Sequence, residues 1–373
     1  MKSIRDNYIQ PVWPVGECTF AIVGEAPDED EAINMSGFSG SSNRMLKHTC
    51  VELGLDPAKA LLTNVFRHKP PQTAKKPNDS AYYFMKRTEA KRTKKETGWE
   101  SSFPIKHLDG FLRPEYEDEL RSLYAEIEKA DPDIVIALGA YALWALTGND
   151  SINSYRGTVI PITLPSGYKC KMLATYLPNN VVRVWSNRFH FVNDLNKAKG
   201  EIGSKTVERV PREVMIDPDL DDIYGWMRHH VWDKPTPPLL AVDIETDAKL
   251  RQITCVGFSV DDTHAIVIPF VDKTKANWSY WSDSDEELFA WRIIEETLEN
   301  SDIAKVFQNG TYDMFWFMFQ MKIPTLGRIE DTMHMHHALE PELPKGLDSL
   351  ASSYLNEIAW KTLVSFKENK RGN

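Results

Sequence analysis

Three groups of side chains in this sequence have types and spacings suited to chemistry. The first is Ala241-Val-Asp-Ile-Glu-Thr, in which Asp243 and Glu245 stand two apart. On a β-strand that spacing projects both carboxylates from one face. Two oxygen ligands so close repel each other unless a cation lies between them, and Mg2+ or Mn2+ prefers such hard ligands. Downstream, Val306-Phe-Gln-Asn-Gly-Thr-Tyr-Asp supplies Asn309 and Asp313, four apart at an expected strand-to-helix junction. From there Asp313 can approach the same metal.

The second group begins at Val23-Gly-Glu-Ala-Pro-Asp and runs on to Ser36-Gly-Phe-Ser-Gly, directly after an apolar strand. Loops at the carboxyl ends of parallel strands are where such sheets bind ligands. Glycine lets the backbone approach a ligand, and Phe38 offers a face on which a base can stack. A second strand ends in Leu62-Thr-Asn-Val, which aims the Asn64 amide, both donor and acceptor, into the same crevice. The plainer alternatives are a core aromatic for Phe38, a strand-end cap for Asn64, and a solvated loop for the acidic run Asp28 to Glu31.

The third group is basic. Lys86, Arg87, Lys91, Arg92, Lys94 and Lys95 crowd one stretch, with Lys69, Lys75 and Lys76 shortly before it. Lys91, Arg92, Lys94 and Lys95 are the candidate contacts to a DNA backbone; the alternative is a solvated helix face. The chain as a whole carries a net charge of −10, which argues against non-specific coating of nucleic acid, so any such contact must be local.

The elements that must position these residues can be read from periodicity. Four apolar runs, Thr19–Val23, Ala60–Val65, Ile134–Leu138 and Lys171–Thr175, alternate with helical patterns, as in a parallel four-stranded sheet with crossover helices. Asn43 to Leu53 repeats apolar residues at helical spacing and stops at Gly54; Glu117 to Ala130 does the same with Leu120, Leu123, Tyr124 and Ile127. From Gly203 to Pro238 the chain turns polar and proline-bearing, with one helical segment at Leu220–His230, which marks a boundary. Leu239–Glu245, Gln252–Ser259 and His264–Pro269 then follow as an antiparallel meander. Ser284 and Glu287 suggest a capping box for a helix to about Asn300, before a strand at Ile303–Phe307 and a helix at Thr311–Met321. Strands followed by helices around a central sheet describe an RNase-H-like α/β fold.

At 373 residues the chain has room for two ordinary domains, and 42% apolar with 26% charged residues is a globular composition. The longest uncharged apolar run, Ile134 to Leu146, is too short to cross a bilayer, and Met1-Lys-Ser-Ile-Arg-Asp lacks the apolar core of a signal peptide. A cytoplasmic location is expected. The four cysteines, Cys18, Cys50, Cys170 and Cys255, include no Cys-x-x-Cys pair and suggest reduced core residues rather than a zinc site or disulfides.

The N-terminal segments resemble the family 4 uracil-DNA glycosylases, particularly versions fused to bacteriophage DNA polymerases. Gly24, Glu25, Ala26, Pro27, Phe38 and Gly40 fall at the spacing of the family's first motif. Thr63-Asn64-Val65 with Lys69-Pro70-Pro71, Leu138-Gly-Ala-Tyr-Ala and Arg156-Gly157 are also similar, so the resemblance covers roughly residues 15 to 200. It implies a three-layer α/β/α domain in which Glu25, Phe38 and Asn64 contact nucleic acid. Leu177 departs from the pattern, standing where the family has the histidine of a His-Pro pair that supports cleavage. Leucine neither donates a hydrogen bond nor stabilises charge on a departing uracil. The cysteine ligands of the family's iron–sulfur cluster have no counterpart at suitable spacing, so no cluster is expected.

The later motifs resemble the DEDD-type 3′–5′ exonucleases, and more narrowly the proofreading domains of bacteriophage family A DNA polymerases. Asp243 and Glu245 match the first motif, Asn309 and Asp313 the second, and Asp331-Thr-Met with Glu340-Pro-Glu-Leu-Pro-Lys-Gly-Leu-Asp-Ser-Leu-Ala is similar to the stretch that follows. The resemblance implies two metal ions, Mg2+ or Mn2+: Asp243 bridging both, Glu245 holding one and steering a water, Asp313 holding the second, and Asn309 close to the nucleic acid. The family's third motif is expected beyond Lys361, and the sequence reaches Asn373 without it.

The expected organisation is a uracil-DNA-glycosylase-like domain over 1–202, a linker over 203–237, and an exonuclease-like domain over 238–373. The expected function is the proofreading 3′–5′ exonuclease module of a phage-type DNA polymerase, acting in replication or repair, with a glycosylase-like domain that binds DNA without cutting out uracil. Its partners would be DNA, single-stranded or at 3′ ends, and a separate polymerase polypeptide that completes the exonuclease site. The alternatives are a non-catalytic DNA-binding or polymerase-recruiting module, and an active uracil-DNA glycosylase.

Overall fold

The computed structural model describes residues 8–69, 80–105, 110–207, 210–247, 249 and 251–355. It divides into two compact units, Met1–Val207 with Asp348–Asn373 and Glu208–Leu347. The second unit is therefore an insertion, after which the chain returns to the first. This differs from the expected single stretch 238–373.

The first unit is built on a five-stranded sheet. Its strands are β1 (Phe20–Gly24), β2 (Ala60–Asn64), β3 (Ile134–Leu138), β4 (Val159–Thr163) and β5 (Lys169–Thr175), in spatial order β2-β1-β3-β5-β4. The four expected strands are parallel to their neighbours, while β4, which the sequence reading missed, pairs antiparallel with β5 at the edge. Its short Val-Ile-Pro-Ile-Thr run carries a proline, which is tolerated at a sheet edge. Successive residues of the central strands alternate between two cores. Ala21, Val23, Val135 and Ala137 pack with the helices Glu117–Ala130 and Gly139–Thr147, while Phe20, Ile22, Ile134 and Ile136 pack with Ser41–Leu53 and Asn187–Gly200. Burial on both faces explains why these strands are continuously apolar, and each fully buried Val, Ile or Phe contributes about 1.5–3 kcal/mol. The arrangement is a three-layer α/β/α domain.

The second unit holds a six-stranded mixed sheet of β6 (Glu213–Met215), β7 (Leu240–Asp247), β8 (Gln252–Ser259), β9 (His264–Pro269), β10 (Lys305–Phe307) and β11 (Ile329–Asp331). The order is β11-β10-β7-β8-β9-β6. β7, β8 and β9 form the antiparallel meander, and β10 pairs parallel with β7. This is an RNase-H-like α/β domain.

Three local expectations are corrected. Besides its expected helical segment, which runs from Leu220 to Met227 and sends Ile223, Trp226 and Met227 into the second core, the segment 203–237 holds a strand, β6, paired with β9. The helix Ser284–Glu299 is capped by Asp283, whose carboxylate accepts the Asp285 and Glu286 N–H groups at 2.9 and 3.0 Å, so the cap lies one residue before Ser284. The helix expected at Thr311–Met321 runs from Gly310 to Trp316 and continues through a wider π-type turn, Phe317–Met321. Among the described residues no helix is long and apolar enough to cross a membrane.

Candidate functional site

Strand β7 carries the first pair of carboxylates. Val242 and Ile244 point into the core, so Asp243 and Glu245 lie on the opposite, exposed face. The ladder with β8 shifts register between Ile253 and Cys255, opposite Thr246 and Glu245, and Thr254 Oγ1 donates to the Glu245 carbonyl at 3.0 Å. Bulges of this kind re-aim side chains beside functional sites.

Asp313 reaches β7 from the helix that follows β10, the neighbouring parallel strand. At Asn309 the chain turns from β10 into a helix with φ 64°, a left-handed conformation that asparagine tolerates better than most residues. A Cβ on Gly310 would lie 2.5 Å from Phe307 Cβ, so only glycine allows the helix to start this close to the strand. The turn is held by Asp331, which accepts the Gly310 N–H at 2.8 Å, the Asn309 N–H at 3.2 Å and the Met333 N–H at 2.8 Å. Burial pushes the Asp331 carboxyl up, but these N–H groups outweigh it and hold it below its ordinary range. The sequence reading quoted Asp331 within a motif without giving it this task; its signal was the Asp-Thr-Met triplet.

Asp313 itself is buried, and its Oδ1 accepts the Ile244 N–H at 3.1 Å, which ties it to the strand between Asp243 and Glu245. Burial, and then the nearby Asp243 carboxylate, push Asp313 up to about 6. Tyr312 beside it shares a 2.6 Å hydrogen bond between its hydroxyl and Thr246 Oγ1. Among the described residues no three His, Cys, Asp or Glu side chains form a ready-made metal cage. The donors nevertheless fit a hard divalent cation. They are all carboxylate oxygens, and Asp243 disfavours the charge on Asp313, a repulsion that an intervening cation would relieve.

In the first unit, β1 and β2 end side by side with Gly24 opposite Asn64. There they open into a cavity of about 290 Å³ lined by Glu25, Phe38, Asn43, Asn64, Leu177 and Arg183, among others. A Cβ on Gly24 would lie 2.1 Å from Asn64 Oδ1 and 3.3 Å from Phe38 Cζ, so glycine leaves room for both the amide and the ring at the strand end. Phe38 and Asn64 are both largely buried. Glu25 Oε1 accepts the Tyr141 N–H at 3.1 Å and so caps the helix Gly139–Thr147. Gly139, at φ +85°, makes room where a Cβ would lie 2.5 Å from Glu25 and 2.7 Å from Leu177. Leu177 thus sits on the cavity wall beside Glu25. The sequence reading missed Asn43 and Arg183, which no local pattern ties to Asn64. Cys18, Cys50 and Cys170 are buried on separate elements, and burial pushes the Cys50 and Cys170 thiols up to about 12.

Lys91, Arg92, Lys94 and Lys95 lie on the helix Arg87–Thr97, which buries only Ala90 and exposes all four cations. Arg92 approaches Glu96 at 3.9 Å and Lys94 approaches Glu100 at 2.7 Å; such exposed pairs contribute little. Lys75 and Lys76, like the stretch beyond Lys361, lie outside the described residues.

Comparison with known proteins bears on both units. The model of the uracil DNA glycosylase superfamily matches residues 13–199, and a 3′–5′ exonuclease model matches residues 233–371. A DNA polymerase of Bacillus phage SP01 is 21% identical over 335 residues, covering 84% of this chain; the chain spans 32% of that polymerase. Solved structures with a similar portion include Escherichia coli RNase D, with 15% identity, 40% of this chain, 34% of that chain and a TM-score of 0.29. The exonuclease domain of Aedes aegypti Nibbler has 10% identity, 45% and 81% coverage and a TM-score of 0.32. Brucella melitensis NrnC has 17% identity, 40% and 63% coverage and a TM-score of 0.27. The chain belongs to the uracil DNA glycosylase superfamily and carries, fused to that domain, a 3′–5′ exonuclease domain of the DNA polymerase A type.

Proposed function

We propose that the second unit is a metal-dependent 3′–5′ exonuclease acting on DNA 3′ ends, in the manner of a polymerase proofreading module. The observation that carries this reading is buried Asp313, tied to the Ile244 N–H between Asp243 and Glu245, with its charge opposed by the Asp243 carboxylate. Mg2+ or Mn2+ would supply polarisation of the scissile phosphate and a more acidic water. Asp243 would bridge two ions, Glu245 would hold one and orient the water, and Asp313 would hold the other. Asn309, exposed at the turn, would lie beside the nucleic acid. The two motifs provide three of the four carboxylates that the family resemblance implies, Asp243, Glu245 and Asp313. A second reading, a non-catalytic DNA-binding or polymerase-recruiting module, is favoured by the lack of three converging ligands among the described residues. No Mg2+-dependent degradation with or without a polymerase, alongside retained DNA binding, would select it.

The first unit, on the same proposal, seats an extruded base between Phe38 and Asn64 without cutting it out. Leu177 supports the absence of cleavage, because the cavity wall there offers no proton and no charge to a leaving base. The full chain should bind a uracil-containing single strand and release no uracil. Asn64→Ala should weaken the binding about 5- to 100-fold, the range for lost base-edge hydrogen bonds. Uracil release that disappears in Asn64→Ala would establish an active glycosylase instead.

The helix Arg87–Thr97 would add electrostatic attraction to the DNA backbone. Changing Lys91, Arg92, Lys94 and Lys95 to Glu should weaken binding and flatten its dependence on salt, by roughly 0.7 in log–log slope per lost phosphate contact on a single strand. An unchanged slope would leave a solvated helix face.

A further inference from the structure

The pair Arg156-Gly157 has no part in either site described above. Arg156 is almost fully buried and forms an ion pair with fully buried Asp194, Nη1 lying 3.1 Å from Oδ1; Thr175 Oγ1 donates to the same carboxylate at 2.7 Å. A buried guanidinium must have its other donors satisfied. Here Nη2 lies 2.8 Å from His190 Nδ1 and donates to Ser352 Oγ at 3.3 Å and Ser353 Oγ at 3.2 Å. Those serines belong to the helix Leu347–Tyr354, in the part of the chain that returns to the first unit.

The same socket also satisfies the last carbonyls of that helix. Asn193 Nδ2 donates to Ser353 O at 2.6 Å, and Lys197 Nζ donates to Ser352 O at 2.7 Å and Leu355 O at 2.6 Å. A cation at a helix C-terminus complements the helix dipole. Gly157, at φ +74°, leaves the space: a Cβ there would lie 2.5 Å from Ser352 O and 2.7 Å from Asp194 Oδ1. An eight-residue helix is too short to be stable in water alone, yet Leu350, Ala351, Ser352 and Ser353 are all buried.

We propose that the first unit has a second binding site, the Arg156–Asp194–Lys197 socket, whose ligand is the helix Leu347–Tyr354, so that the chain is fastened to this unit on both sides of the inserted exonuclease unit. None of Arg156, Asp194 and Lys197 lines the base cavity.

Hydrogen exchange on the full chain tests this. In the unaltered protein the amides of 350–355 should be protected. Ser352→Ala with Ser353→Ala, which leaves the Arg156–Asp194 pair in place, should speed their exchange about 10-fold or more, as should Lys197→Met, while strand β5 keeps its protection as a control on folding. Lys197→Arg should largely retain it. Rapid exchange of 350–355 in the unaltered protein, or protection indifferent to all of these changes, would overturn the proposal.

Discussion

Asp243→Ala is expected to lower Mg2+-dependent 3′–5′ degradation of single-stranded DNA by about 1000-fold or more, equivalent to roughly 4 kcal/mol of activation free energy. The size follows from position. Asp243 stands on the exposed face of β7, close enough to raise the proton affinity of Asp313, and is the carboxylate assigned to both ions. Its removal relieves the repulsion on Asp313 but takes away the shared ligand, so the fold should survive while the rate does not. Vigorous degradation insensitive to Asp243→Ala would place the site elsewhere.

Asp313→Asn should do something less common in an active-site variant: stabilise the exonuclease unit at neutral pH while abolishing its activity. The folded protein binds a proton at Asp313 more tightly than the unfolded chain, since burial and then Asp243 raise the group to about 6. A raised value means that its contribution to stability is fully present below about pH 3.9 and is lost as pH rises through the folded value. At pH 7 and without divalent cations, ionised Asp313 therefore opposes folding. Asparagine keeps the oxygen that accepts the Ile244 N–H and nearly the same volume, without the charge. The gain should be on the order of 2 kcal/mol at pH 7, seen as a higher denaturant midpoint, and should vanish near pH 4. Mg2+ should narrow the difference, because only the native carboxylates gain from binding it. A variant equally destabilised at pH 4 and pH 7 would show that the folded protein does not raise the proton affinity of Asp313.

Much of this was legible in the sequence because it is encoded locally. Continuous apolar runs such as Ile134–Leu138 are strands because both faces are covered, and the two-residue spacing of Asp243 and Glu245 sets their common face wherever the strand lies. The loop after β1 and the turn at Asn309-Gly310 likewise carry their own signals, a glycine approach and a left-handed residue. Other features exist only once distant segments meet. Nothing near Glu25 reveals that it caps a helix 116 residues away, and nothing near Asp331 reveals that it holds the turn 21 residues before it. The edge strand β4 and the β6 segment have weak local patterns and are decided by the neighbours whose hydrogen bonds they complete. The serines at 352 and 353 look like ordinary helix surface, and their burial against Arg156 was decided by the return of the chain to the first unit. Periodicity and turn chemistry follow from adjacent residues, whereas charge burial, capping across elements and the route of the chain depend on which surfaces pack together.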